Sequence, residues 1–197
     1  MNSILFTPTP ATLPRGTGYF RSIELFFLNF GFAPTDAFNV ALGTVFPITD
    51  EFIGIMAGAK LRVVDREVYP IGLALAGSFT YLDDLQDDAL WTATAVLGVG
   101  DARRSLNVAI GGNFSGSSSH GLIMVGGDYQ VSARVKLVAE FGNSTSALFE
   151  EDDFNGLMNV GFRFFGDSMS FTLTGFRPLE ESGGLFLFPL AVFSINF

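Results

Sequence analysis

Charged side chains of both signs occupy the polar faces of several predicted strands. Four are basic and two are acidic: Lys60, Arg62, Lys136, Arg163, Glu24 and Glu140. Rings of charged side chains tune ion passage through pores. Mixed signs in similar numbers also fit a network of ion pairs that only satisfies buried charges. The sequence therefore leaves open whether these charges tune ion passage or form a structural ion-pair network.

Four acids within six residues form the densest group of hard oxygen ligands in the chain: Asp83, Asp84, Asp87 and Asp88. Carboxylates of this kind suit Ca²⁺, or could bridge divalent ions to phosphate groups outside the protein. No Asp-x-Asp-x-Asp-Gly pattern fixes their positions, so a solvated loop is the favoured interpretation. The chain has no cysteine, which excludes disulfides and thiolate metal sites. We expect no cofactor and no metal.

Alternating apolar and polar residues indicate the strands that must position these groups. In residues 168–176, for example, Met169, Phe171 and Leu173 alternate with Ser170, Thr172 and Thr174. Strands of about 9–11 residues can cross a bilayer when tilted. The segments predicted as strands are residues 18–32, 37–46, 52–64, 68–81, 89–98, 105–114, 121–129, 133–142, 154–165, 168–176 and 185–197.

The composition favours a membrane barrel over a soluble sandwich. The chain is 48% hydrophobic with a mean hydropathy of +0.40. It contains no run near the roughly 18 apolar residues of a spanning helix. High hydrophobicity spread over alternating strands is typical of an all-β, antiparallel, up-and-down transmembrane β-barrel, here of about 12 strands in a single domain over residues 1–197. A soluble β-sandwich with a large core is the alternative.

The face opposite the apolar residues should line the lumen of this barrel. Twelve strands lie between the eight that leave a filled interior and the 16 or more that leave an aqueous channel. Arg21 falls on the apolar parity, and we expect it to extend toward the membrane rim. The predicted lumen-lining residues are Glu24, Lys60, Arg62, Thr92, Thr94, Asn107, Asn113, Lys136, Glu140, Asn159, Arg163, Ser170, Thr172 and Thr174.

The connections predict which end of the barrel faces outward. Short turns at residues 34–36, 65–66, 101–104, 130–132 and 166–167 alternate with mostly longer, acidic connections that hold 12 of the 20 acids. Bacterial barrels have short periplasmic turns, longer outside loops and an even number of strands. Residues 2–10 are therefore predicted as a twelfth strand, with residues 11–16 as an outside loop. Pro8 and Pro10 weaken that strand, and a plug folded into the lumen is the alternative.

The last residues form a strand with one apolar and one small polar face. Phe193, Ile195 and Phe197 share the apolar face, opposite Ser194 and Asn196. This pattern resembles the C-terminal assembly signal of bacterial outer-membrane barrels, with Phe197 as the terminal aromatic residue. The whole layout is also similar to the small outer-membrane barrels of Gram-negative-type bacteria. The resemblance implies a bacterial outer-membrane location, with the lipid bilayer, lipopolysaccharide and the outer-membrane assembly machinery as partners.

Three functions follow from this layout. The leading one is a passive narrow, porin-like channel or a structural membrane protein. The second is a surface adhesion or assembly anchor whose acidic loops bind a partner. The third is a barrel lipid hydrolase using His120, which follows three serines; the His-x-Ser spacing of barrel phospholipases is absent, so we expect a small loop and no enzyme. A net charge of −9 argues against a nucleic-acid partner.

Overall fold

The computed structural model describes residues 3–45, 54–82, 89–116, 118–144, 156–179 and 187–197. Within them the chain forms a closed antiparallel barrel in which each strand pairs with its sequence neighbours and β1 pairs with β12. The predicted all-β, antiparallel, up-and-down barrel of 12 strands is therefore confirmed. The strands are β1 Gly18–Ile23, β2 Phe27–Thr35, β3 Phe38–Val45, β4 Gly54–Val64, β5 Ile71–Leu82, β6 Leu90–Gly100, β7 Arg104–Ser115, β8 Ser118–Ser132, β9 Val135–Ser144, β10 Gly156–Phe165, β11 Met169–Leu179 and β12 Phe188–Asn196.

The predicted alternation is present along the wall. In β11, Met169, Phe171 and Leu173 are 53%, 44% and 49% exposed, whereas the residues between them are almost wholly buried: Ser170, Thr172 and Thr174 at 7%, 2% and 3%. Side chains of a strand point alternately to the two faces of the sheet. The apolar set therefore faces outward and the small polar set faces the barrel interior. In the described part of the chain, no helix has the length and apolar character needed to span a bilayer.

The twelfth strand arises from a split that the sequence analysis missed. Residues 18–32, predicted as one strand, form β1 and β2, joined by a turn at residues 24–26. Glu24 and Leu25 adopt left-handed φ values of 51° and 63° in that turn. The prediction of a strand over residues 2–10 is wrong, because residues 3–10 lie inside the barrel instead. The plug that was the alternative is the arrangement observed.

Five short connections lie together at one end of the barrel, here called the short-turn end, at residues 36–37, 65–70, 101–103, 133–134 and 166–168. The turn at residues 24–26 is equally short but lies at the opposite end. Among the described strand pairs, the three register shifts lie beside these five connections, in β2, β4 and β8. Bulges at barrel rims bend a strand and end its pairing. In one of these turns Asp101 accepts hydrogen bonds from the backbone N–H groups of Arg103 and Arg104, which lower the pKa of its carboxyl group.

The first and last strands of the chain close the barrel, and Gly18 and Phe197 join them at the short-turn end. The Gly18 N–H donates to the Phe197 carbonyl over 2.8 Å, and the Phe197 N–H donates back over 3.0 Å. Phe197 and Phe193 are exposed and Ile195 is half-buried. Residues 11–16, predicted as an outside loop, also lie at the short-turn end: the Arg15 N–H donates to the Asp36 carboxylate over 2.7 Å. The prediction of an outside loop is wrong, because it assumed that residues 2–10 cross the wall as a strand.

Candidate functional site

Residues 3–13, here called the inner segment, occupy the lumen. Ile4, Leu5, Thr7 and Thr9 are almost wholly buried, although the segment belongs to no strand of the wall. Its hydrogen bonds reach β1, β4, β9 and β10, which stand on different sides of the ring. The inner segment therefore crosses the lumen and is held from several sides.

Glu140 on β9 binds the turn of the inner segment. Its Oε1 accepts hydrogen bonds from three successive backbone N–H groups, those of Leu5, Phe6 and Thr7, over 2.7, 3.0 and 2.8 Å. The turn that makes these groups converge is closed by a 2.9 Å bond from the Ile4 N–H to the Thr7 carbonyl. Glu140 Oε2 accepts a hydrogen bond from Asn159 Nδ2 over 2.9 Å. A concave row of backbone N–H groups is an anion site, and here the anion is a side chain of the wall.

Three basic side chains bind the same segment through oxygen atoms. Arg163 Nη2 donates to the Ile4 carbonyl, and Lys60 Nζ donates to the Thr9 carbonyl over 2.9 Å. Arg21 Nη1 donates to Ser3 Oγ over 2.7 Å. The prediction for Arg21 is wrong: it points into the lumen, because the even-numbered residues of β1 and β2, such as Phe20 and Phe30, form the outer face and the odd-numbered ones face inward. The wall thus offers one acceptor to the segment's N–H groups and three donors to its oxygens.

Two further basic residues of the predicted lumen set have acidic partners. Lys136 Nζ lies 2.9 Å from Asp128 Oδ1, and Arg62 Nη1 lies 2.9 Å from Asp65 Oδ2. The predicted counter-charge Glu24 sits in the turn after β1, where its carboxylate accepts from the Ala191 N–H. The ion-pair interpretation therefore describes part of the lumen, at Lys136 and Arg62. Lys60, Glu140 and Arg163 bind the backbone of the inner segment instead.

The other predicted lumen residues are placed as follows. Thr92 Oγ1 donates to Asn113 Oδ1 over 2.8 Å, and both are half-buried, as is Thr94. Arg163 Nε donates to Thr172 Oγ1 over 3.0 Å. The buried polar side chains of the predicted set are Lys60, Asn107, Glu140, Asn159, Arg163, Ser170, Thr172 and Thr174.

Glycines of the wall give the inner segment its space. A Cβ built on Gly126 would lie 2.7 Å from Thr7 Oγ1, and one on Gly98 would lie 2.7 Å from the Pro10 ring. Gly72 on β5 stands in register with Gly98 on β6, and a Cβ built on it would lie 2.9 Å from the same ring. A Cβ atom essentially never lies this close to another heavy atom, so a side chain here would displace the segment. These glycines were not identified from the sequence, although they lie at inward-facing positions, which is a signal that alternation could have supplied.

We expect Gly126→Ala to loosen the inner segment without opening the wall. The new methyl group would overlap Thr7, and overpacking of this kind costs about 1–3 kcal/mol. The backbone N–H groups of residues 4–7 should then exchange with deuterium faster than in the unchanged chain. Gly58→Ala is the matched control, because its Cβ would meet its nearest atom at an ordinary 3.5 Å. Equal exchange in both variants would show that Thr7 does not contact β8.

A cavity with charged residues in its lining lies beside the inner segment at the short-turn end. It has a volume of about 320 Å³. Arg66, Asp101, Asp128, Lys136 and Arg163 contribute its charges, and Ser3, Ile4 and Thr9 form the side toward the inner segment. The inner segment therefore fills part of the lumen, and charged side chains surround the space left at the short-turn end.

Of the candidates for metal binding and hydrolysis, the structure describes only His120. Asp83, Asp84, Asp87 and Asp88 lie outside the described residues. Among the residues that the structure does describe, no group of three acidic or histidine side chains could hold a metal ion. His120 is exposed on β8, directly opposite Asn113, so it stands in a strand and not in the loop that was expected.

Comparison with known proteins adds no family. No protein-family model matches the sequence, and no curated protein matches it. The functional inference therefore depends on the lumen and the outer wall.

Proposed function

We propose that this protein is a bacterial outer-membrane β-barrel that acts as a passive narrow channel, closed at rest by its inner segment. The single observation that carries the proposal is the occupied polar lumen within a wall whose outer face is apolar. The proposal includes no catalytic step and no cofactor.

The outer wall supports the membrane location. Large apolar side chains are exposed on every strand of the ring except β1. Neighbouring strands place them side by side, as where Leu137, Phe162 and Leu173 stand in register on β9, β10 and β11. Soluble monomers rarely expose contiguous apolar patches above a few hundred Å². Such an apolar belt suits the hydrocarbon core of a bilayer. The backbone N–H and C=O groups of a closed barrel bond between its own strands, so none needs water there.

The partners follow from this location. The apolar belt would contact the lipid bilayer, and the acidic segments would face lipopolysaccharide. We propose that Phe193, Ile195 and Phe197 serve the outer-membrane assembly machinery as its recognition strand. No contact with nucleic acid is proposed, since the chain is acidic.

The mode of attachment supports a movable closure. The inner segment pairs with no strand and is held by side chains of the wall acting on its backbone. Each such bond can be exchanged for one to water once the segment leaves, so the net cost per bond to a charged side chain is modest, about 1.5–3 kcal/mol. A barrel of this size without the segment would have room for a narrow aqueous path.

Conductance in planar lipid bilayers tests the channel. The unchanged chain should be closed most of the time, and Gly126→Ala should show frequent current steps, because displacement of the inner segment opens the path. Gly58→Ala should behave as the unchanged chain. Silence from Gly126→Ala, combined with faster deuterium exchange at residues 4–7, would refute the channel.

The occupied lumen favours a second candidate function, an anchor that presents its acidic loops to a partner. In that case the inner segment is a permanent filling and the barrel only holds the loops in place. The same measurement separates the two functions, because an anchor gives no current however mobile the inner segment becomes.

A further inference from the structure

We infer that the path opened by the inner segment prefers small anions over cations. The inference rests on the proposed channel function and names the solute class that the same lumen would pass. It comes from the charges that the wall turns toward the lumen, and these have the opposite sign to the charge of the whole chain.

Basic side chains outnumber acidic ones along the described lumen and its short-turn mouth. The basic ones are Arg21, Lys60, Arg62, Lys136 and Arg163, and the acidic ones are Asp65, Asp128 and Glu140. Arg66 and Asp101, which line the mouth cavity, add one charge of each sign. The excess stays positive even when Glu24 is counted at the opposite end.

The inner segment hides this excess in the closed state. Its backbone oxygens accept the hydrogen bonds of Lys60 and Arg163, and Ser3 Oγ accepts that of Arg21. Residues 3–13 carry no charged side chain, so the segment neither neutralises the lumen nor brings charge to the place it moves to. When it leaves, the basic groups need new acceptors, and a chloride or a carboxylate would supply them as well as water does.

The acids that make the chain negative lie elsewhere in the sequence. Twelve of the 20 fall in the acidic connections outside the described residues, from residue 50 to residue 181. Exposed charges are screened over about 8 Å at physiological salt, whereas charges in a narrow lumen are screened much less. Selectivity is set where the ion loses its water, which is beside Arg21, Lys60 and Arg163.

The reversal potential across a potassium chloride gradient tests the inference on the full chain carrying Gly126→Ala. We expect chloride to be more permeant than potassium. Adding Lys60→Gln should lower the chloride preference, whereas adding Arg134→Gln, at an exposed turn position, should leave it unchanged. Glu140→Gln should raise the preference, which gives a second variant with the opposite sign.

The outcomes are distinguishable from failure of the channel itself. An absence of current in Gly126→Ala overturns the proposed function and this inference together. Current with a potassium preference overturns only the inference. A chloride preference that ignores both Lys60→Gln and Glu140→Gln also overturns it, because selection would then occur away from these charges.

Discussion

Glu140→Ala is expected to release the inner segment. The substitution removes the oxygen that accepts from the N–H groups of Leu5, Phe6 and Thr7. It also removes the negative charge of Glu140 from among the basic side chains that bind the segment. Breaking a buried charged contact from one side costs about 3–5 kcal/mol. The ratio of bound to displaced segment should therefore fall by roughly two to four orders of magnitude.

Deuterium exchange and conductance both measure this release. The N–H groups of residues 5–7 should lose their protection, and the channel should be open for most of the recording. Glu140→Gln, which keeps an acceptor oxygen but loses the charge, should have a smaller effect. Thr174→Ala is the control: Thr174 is equally buried but donates to Leu190 on the wall and not to the segment. Full protection of residues 5–7 in Glu140→Ala would contradict the proposed role of the carboxylate.

The wall was predictable from the sequence because alternation is a local signal. Each strand shows its two faces within about ten residues, and β11 illustrates how directly the pattern maps onto burial. The turn at residues 24–26 was missed for an equally local reason. Tight hairpins with left-handed φ values normally carry Asn or Gly, and here they are adopted by Glu24 and Leu25. The strand count of 12 was thus correct, but the twelfth strand was assigned to the wrong residues.

The site was only half predictable, since its contacts join distant parts of the chain. Lys60, Glu140 and Arg163 were identified from their parity on the strands. Their partner is the backbone of the inner segment, 133–159 residues away for Glu140 and Arg163, and no local pattern reports backbone partners at that distance. Pro8 and Pro10 were the remaining signal. Proline cannot donate to a sheet ladder, but inside the lumen that deficit costs nothing.

Leu173→Arg is expected to prevent stable insertion in lipid. Leu173 is 49% exposed, the fifth residue of β11, and stands in register with Phe162 and Ala191 on the outer wall. An arginine at the bilayer midplane of a barrel costs about 2–4 kcal/mol. The folded fraction after refolding into liposomes, read from the mobility of unboiled and boiled samples on a gel, should fall sharply at urea concentrations that the unchanged chain tolerates.

Met169→Arg provides the matched control on the same face of the same strand. Met169 is 53% exposed but is the first residue of β11, beside the short turn and about 13 Å from Leu173 along the strand. Near the interface the cost of arginine falls to about 0–1 kcal/mol, so this variant should fold almost normally. A water-soluble barrel would tolerate both substitutions equally, since both side chains would meet solvent. The difference between two equally exposed positions therefore measures hydrocarbon depth, and equal folding of the two variants would remove the membrane from the proposal.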